Sequence, residues 1–191
     1  MKWNAHSEYK DRHAMLSASK SSWLNYSDDQ IAEMVDNLGA AVRGTKQHAV
    51  AKMLIELRQE LPHTNQTLNL YVNDCIGFRM DPEIMVWYSP YAFGTADAIS
   101  FRKDPIEDIM VLRIFDLKNG KTKASVRQLL TYAAFFCLEY GVNPNDIAFD
   151  LRFYQHDQIY EIETSAIEIL EIMAITKSTN ALLIKRLEEE L

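Results

Sequence analysis

FGTADAISF (Phe93–Phe101), VLRIFDLKNGK (Val111–Lys121) and QLLTY (Gln128–Tyr132) decide how this chain is read. The first two are rich in β-branched and aromatic residues and read as strands, the second ending at the turn signal Asn119-Gly120. Side chains two apart share a strand face, so Asp116 and Lys118, about 6–7 Å apart along the chain, emerge side by side at the carboxyl end of theirs. Leu112 and Ile114 precede them on the same face. Charges at the edge of a core carry a desolvation cost unless paired, and an ion pair between the two is the plain explanation. Asp97 adds a second charge to explain. It interrupts an apolar strand on the expected face of Phe93, Ile99 and Phe101, with Gly94 and Ala96 leaving room for a close approach. Such an Asp needs a backbone donor, a cation or a metal. If the two strands are neighbours, Asp97 and Asp116 meet, and two carboxylates at one point repel unless a divalent cation lies between them. Oxygen ligands favour Mg2+ or Mn2+. Such an ion activates a water and neutralises a scissile phosphate, with Lys118 orienting the water or stabilising the transition state.

Gln128 and Tyr132 are four apart on the following helix and face the same way. A packed tyrosine ring with its hydroxyl at the surface explains Tyr132 alone; beside a basic loop the pair can also hold a phosphodiester backbone or Lys118. Lys118, Lys121, Lys123 and Arg127 lie in a stretch without acids, whereas acids gather at Glu161, Glu163, Glu168, Glu171 and Glu188–Glu190. The net charge of −7 argues against nucleic-acid binding by the whole surface and leaves room for one basic strip; a solvated loop is the bland alternative.

The remaining elements follow outward. Glu83–Tyr88, bounded by Pro82 and Pro90, reads as a strand, and Ile147–Gln155 alternates as another. Residues 124–140 form a helix with a stripe through Leu129, Ala133 and Phe136 and a C-terminal Gly141. Upstream, Ser17-Ala18-Ser19 opens a short helical segment with Trp23 and Leu24. Ser27-Asp28-Asp29 caps a helix that Gly39 weakens or ends, and a further helix carrying His48 runs from Arg43-Gly44-Thr45 to about Leu61, stopped by Pro62. His48 alone reads as a structural or surface histidine. Leu68–Phe78 fits either period and is read as a helix. Thr164 onward is helical, with a break expected near Lys177–Thr179. The fold expected is α/β: a mixed central sheet of about four or five strands flanked by helices, with residues 110–155 as a right-handed parallel crossover. One domain over 1–191 is expected, with a helical region over residues 1–78, a sheet core over 79–160 and a second helical region over 161–191.

No run of about 18 apolar residues exists, so no membrane span is expected, and the polar start MKWNAHSEYKDRHAML does not read as a secretory signal. Cys75 and Cys137 read as two reduced, buried thiols of a cytoplasmic protein. No Walker loop is present.

Taken in order, GTAD (Gly94–Asp97), DLK (Asp116–Lys118) and the Gln128/Tyr132 pair resemble the PD-(D/E)XK nuclease superfamily in its RecB-like, lambda-exonuclease-type branch. HAMLSASKSSWLN (His13–Asn25) is similar to the Ser-x-Ser helix entry of that branch, and RGTKQH (Arg43–His48) to its Gly-Thr-x-x-His segment. The resemblance covers residues 13–155 and is nearest to phage and prophage members. It implies a restriction-endonuclease-like core in which Asp97 and Asp116 ligate Mg2+ or Mn2+, with His48 and the Leu117 carbonyl as further ligands and Lys118 as the catalytic lysine. Gln128 and Tyr132, with Lys121, Lys123 and Arg127, would support the site or grip DNA, and Glu83 matches a carboxylate of some members. Iron–sulfur relatives place a cysteine near Asn25–Ser27 and three near the C-terminus. None stands there, so no iron–sulfur cluster is expected. The function implied is a metal-dependent DNA exonuclease or end-processing nuclease. It would be phage-encoded, act in recombination, replication or repair in the host cytoplasm, and have DNA and a homo-oligomer or phage recombination or replication protein as partners. Two alternatives stand beside it: a nuclease-fold protein that binds DNA or assembles without turnover, and an unrelated α/β protein with coincidental ion pairs.

Overall fold

A computed structural model describes residues 24–25, 27–119 and 125–190. Contacts divide the chain into two compact units, Met1–Ala41 and Val42–Leu191, a boundary inside the helical region expected over 1–78. The segment opened by Ser17 lies outside the described residues up to Trp23.

Helix α1 (Asp28–Glu56) begins with a capping box. Ser27 donates its N–H to Gln30 Oε1 at 2.9 Å, and Gln30 returns its N–H to Ser27 Oγ at 3.4 Å. The helix does not end at Gly39. It runs through Gly39 and Gly44, so the two helices expected here are one. A glycine inside a helix costs about 1 kcal/mol relative to alanine, which helical sequence on both sides can outweigh. α1 stops at Glu56, short of Pro62. Gln59 N–H reaches the Leu54 carbonyl and Arg58 N–H that of Ile55, a Schellman motif with Arg58 in the left-handed position at φ 54°. Helix α2 (Thr67–Gly77) resolves the ambiguous segment as a helix and closes in the same way around Arg79, also at φ 54°. Its first turn is tied to a distant loop, because Asp157 Oδ1 accepts from the Thr67 N–H at 2.8 Å.

Five strands form one mixed sheet: β1 (Asp81–Ser89), β2 (Ala92–Lys103), β3 (Met110–Leu117), β4 (Ile147–Gln155) and β5 (Gln158–Ile162), in that spatial order. Neighbours are antiparallel except β3 and β4, which run parallel across helix α3 (Val126–Tyr140). The α3 helix ends as expected, on Gly141 at φ 65°. The fifth strand follows a tight turn in which His156 and Asp157 both have positive φ, the geometry of a primed hairpin turn. Helix α4 (Ala166–Glu190) is unbroken at Lys177–Thr179, contrary to expectation.

Strand alternation builds two cores. Leu112 and Ile114 of β3 and Leu151 and Phe153 of β4 pack with α3 and with Ile169 of α4. Phe115, Leu117 and Tyr154 point the other way, onto Ala51, Leu54 and Ile55 of α1 and Tyr71, Val72 and Cys75 of α2. Cys137 lies in the first core and Cys75 in the second, both buried and free. Among the described residues no helix is long and apolar enough to cross a membrane.

Candidate metal centre

The site forms where β2 leaves β3. The ladder runs from Lys103 opposite Met110 to Ala98 opposite Phe115 and stops. At the next residue, Asp97 substitutes a side chain for a strand partner: its Oδ2 accepts the Leu117 N–H at 2.9 Å. Its Oδ1 lies 3.5 Å from His48 Nδ1, and His48 Nε2 lies 2.9 Å from the Leu117 carbonyl oxygen. A neutral His48 that donates from Nε2 to Leu117 turns the lone pair of Nδ1 toward Asp97; an imidazolium donates to both. The bond to Asp97 is the main influence raising the His48 pKa, against the lowering effect of burial.

Glu83 completes this cluster from β1. Pro82 pairs with Ala98 and Ile84 with Ala96, which leaves Glu83 opposite Asp97. Glu83 has φ 54°, a left-handed conformation rare for a residue with a Cβ. The sheet changes faces here. Ala96 packs in the α3 core and Ala98 in the α1–α2 core although they are two apart. The expectation that Asp97 shares one regular face with Phe93, Ile99 and Phe101 is therefore corrected: the alternation breaks at Asp97 itself. Backbone strain of this kind, about 1–3 kcal/mol, persists only where its surroundings enforce it, and it clusters at functional sites.

His48, Glu83 and Asp97 each bring one ligand atom within 4.8 Å of the others, a group that could hold a metal ion. One imidazole nitrogen with two carboxylates suits several divalent ions. Two members of the expected ligand set are placed differently. The Leu117 carbonyl takes up His48 Nε2, and Asp116 lies outside this group, on the α3 side. Asp116 is 1% exposed. Its Oδ1 accepts from Lys118 Nζ at 3.2 Å and from Gln128 Nε2 at 3.3 Å. Oδ2 is 2.9 Å from Lys118 Nζ but misaligned, so this buried oxygen has no hydrogen-bond partner. The Lys118 ammonium is nevertheless the cation that this oxygen faces, as an ion pair. Burial first, and then the charge of Asp97, push the Asp116 pKa up to about 6, opposed by Lys118.

Lys118, Gln128 and Tyr132 extend the network. Lys118 Nζ donates to Gln128 Oε1 at 3.2 Å, and Gln128 Nε2 lies 3.1 Å from the Tyr132 hydroxyl. The Tyr132 ring lies against Gly94, where a Cβ would come within 2.7 Å of Cε1, so the room noted at Gly94 is filled by this ring. The structure thus forms two adjacent groups, His48, Glu83 and Asp97 about Leu117 and Asp116, Lys118, Gln128 and Tyr132 on the α3 side, joined through the backbone of Asp116 and Leu117.

The basic strip is placed only in part. Lys121 and Lys123 lie outside the described residues. Arg127 is exposed on α3 and borders a different cleft, of about 400 Å3, with Glu168 and Glu171 of α4. The cleft that opens on the cluster, about 440 Å3, is lined by Gly44, Thr45, His48, Ala49, Lys52 and Glu83. Lys52 was missed in the sequence; its signal is its place one helical turn after His48. Comparison of the chain with protein-family models, curated proteins and solved structures gives no match.

Proposed function

We propose that this protein is a Mg2+- or Mn2+-dependent deoxyribonuclease that trims or processes DNA ends in recombination, replication or repair. The observation that carries the proposal is the pairing of Asp116 and Lys118. A buried carboxylate holds a lysine ammonium through both of its oxygens, on the strand end next to the His48–Glu83–Asp97 cluster. A divalent cation, when bound, supplies Lewis-acid activation of a water and screening of phosphate charge. The chain's own groups do the rest. Lys118, tethered by Asp116 and Gln128, offers a fixed positive charge to a phosphate oxygen where negative charge develops. Tyr132 and Gln128 limit its freedom, and Lys52, on the wall of the same cleft, is placed to meet the sugar–phosphate backbone. With a net charge of −7, the rest of the surface repels DNA, which favours engagement at this cleft.

The test is a time course on end-labelled linear DNA beside closed circular DNA, with Mg2+, with Mn2+ and with EDTA. The expected result is digestion of the linear form that EDTA abolishes and that is lost in folded Asp116→Ala and Lys118→Ala variants. If the wild-type protein digests no linear, nicked or single-stranded DNA with either ion, the proposal fails. Calorimetric uptake of Mn2+ without digestion would then mark a metal site that does not serve DNA hydrolysis.

A further inference from the structure

From Ile84 to Ala96 the β1–β2 hairpin carries no charged residue, in a chain where a quarter of all residues are charged. One face of it packs toward α3: Val86 is buried in that core and Gly94 abuts Tyr132. The opposite face, the one from which His48 enters the metal cluster, stays open to solvent. Met85 is 49% exposed, Trp87 38% and Phe93 48%. Trp87 and Phe93 are cross-strand partners, and their rings stack with centroids 4.9 Å apart and planes inclined by 14°. This stack stabilises the hairpin, yet it also presents aromatic surface to solvent. From Glu83 at the cluster to Trp87 is four residues along β1, about 13 Å at strand rise, within reach of a strand held at the cluster.

We infer that Trp87 and Phe93 form a stacking platform for an unpaired nucleobase of the strand whose phosphate occupies the metal centre. The substrate class is then DNA with a single-stranded segment or frayed end, rather than intact duplex. The inference rests on the nuclease reading for the identity of the strand. The exposed rings suit the π-face of a base, because stacking tolerates any sequence and needs no neutralising charge; the one carboxylate recorded at Trp87, Glu139 of α3, is engaged with its backbone N–H at 2.7 Å. A base within a closed duplex has its faces covered by its neighbours.

The test uses the full chain with the Lys118→Ala substitution, in Mn2+, and follows fluorescence anisotropy of three labelled probes: oligothymidylate, an abasic strand of the same length and a blunt duplex. Oligothymidylate is expected to bind more tightly than the abasic strand, which has the same phosphates. Adding Trp87→Ala should weaken oligothymidylate binding by about 5- to 150-fold, the range for one stacked base, and leave the duplex and abasic probes within about two-fold. Trp87→Phe should retain most of the binding. Equal affinity for oligothymidylate and the abasic strand overturns the inference without any variant. So does an equal loss for all probes, or a Trp87→Ala variant that melts lower but binds unchanged, as a purely structural stack or a protein-docking face would. Failure of the nuclease reading looks different: no metal-dependent cleavage by the wild type, while Trp87-dependent binding to bases persists.

Discussion

Replacing Asp116 by Asn should make the metal-free protein more stable at neutral pH, although it removes half of an ion pair. The Asp116 carboxyl is almost fully buried, and its pKa rises from 3.8 to about 6. The folded chain therefore binds the Asp116 proton more tightly than the unfolded chain does. Between pH 4 and 6 stability falls as pH rises, and above about pH 6 the full penalty is present. At about 1.4 kcal/mol per pH unit, that penalty is about 3 kcal/mol, already net of the attraction of Lys118. Asn cannot ionise, so the Asp116→Asn variant should gain up to about 3 kcal/mol at pH 8 and little near pH 4. In melting temperature this is about 6–12 °C for a domain of this size. The assay is urea and thermal unfolding of both proteins across that pH range in EDTA, repeated with Mn2+. Mn2+ should stabilise the wild type, because a ligand bound only by the folded state, at free concentration L, adds RT ln(1 + L/Kd) of stability. The gap between the two proteins should then shrink or reverse. An Asp116→Asn variant equal to or weaker than wild type at pH 8 without metal would refute the reasoning, since it would mean that Lys118 alone compensates the buried charge.

Glu83→Gly should leave the metal-free protein no less stable than wild type despite the usual cost of about 0.5–1 kcal/mol for glycine in a strand, because Glu83 already sits at φ 54°. The same variant and Glu83→Gln should both weaken Mn2+ uptake in calorimetry; unchanged uptake in both would remove Glu83 from the cluster. Gly94→Ala should cost about 1–3 kcal/mol by overpacking against Tyr132, and most of that cost should vanish in a Tyr132→Leu background, a coupling that a double-mutant cycle of unfolding measures. His48, whose pKa is raised chiefly by Asp97, should stabilise the metal-free fold relative to His48→Gln below its ordinary pKa of 6.5, with the advantage lost as pH rises through the higher folded value. A flat difference across pH 5–8 would contradict the His48–Asp97 bond.

Where a single side chain carried the signal, the sequence was readable. Gly141 closes α3 and appears in the sequence as a glycine, whereas Arg58 and Arg79 close α1 and α2 in the same left-handed geometry without a glycine to mark them. Gly39 looks like a stop, but glycine weakens a helix by only about 1 kcal/mol, and α1 passes through it. β5 is largely exposed and at the sheet edge, so burial wrote little alternation into it. At the site, the charges on β3 were legible because Asp116 and Lys118 interrupt a buried run. The face change at Glu83 and Asp97 was not, because period-two reasoning assumes an unbroken pleat. Glu83 was named only by resemblance, and its participation depends on the backbone conformation of that one residue.

The Asp97 carboxylate bridges two demands of different kinds. It faces His48 and Glu83 in the group that could hold a metal ion, and it also holds the Leu117 amide in place of a missing strand partner. Whether or not the proposed chemistry operates, dropping Asp97 would cost this pairing, and selection for folding alone would keep an acceptor there. Lys118 carries a different constraint: its side-chain bonds go to Asp116 and Gln128, where its charge offsets that of the buried Asp116 carboxylate. Under the proposed nuclease reading, an intact Asp97 in a chain of this architecture would therefore say little about activity.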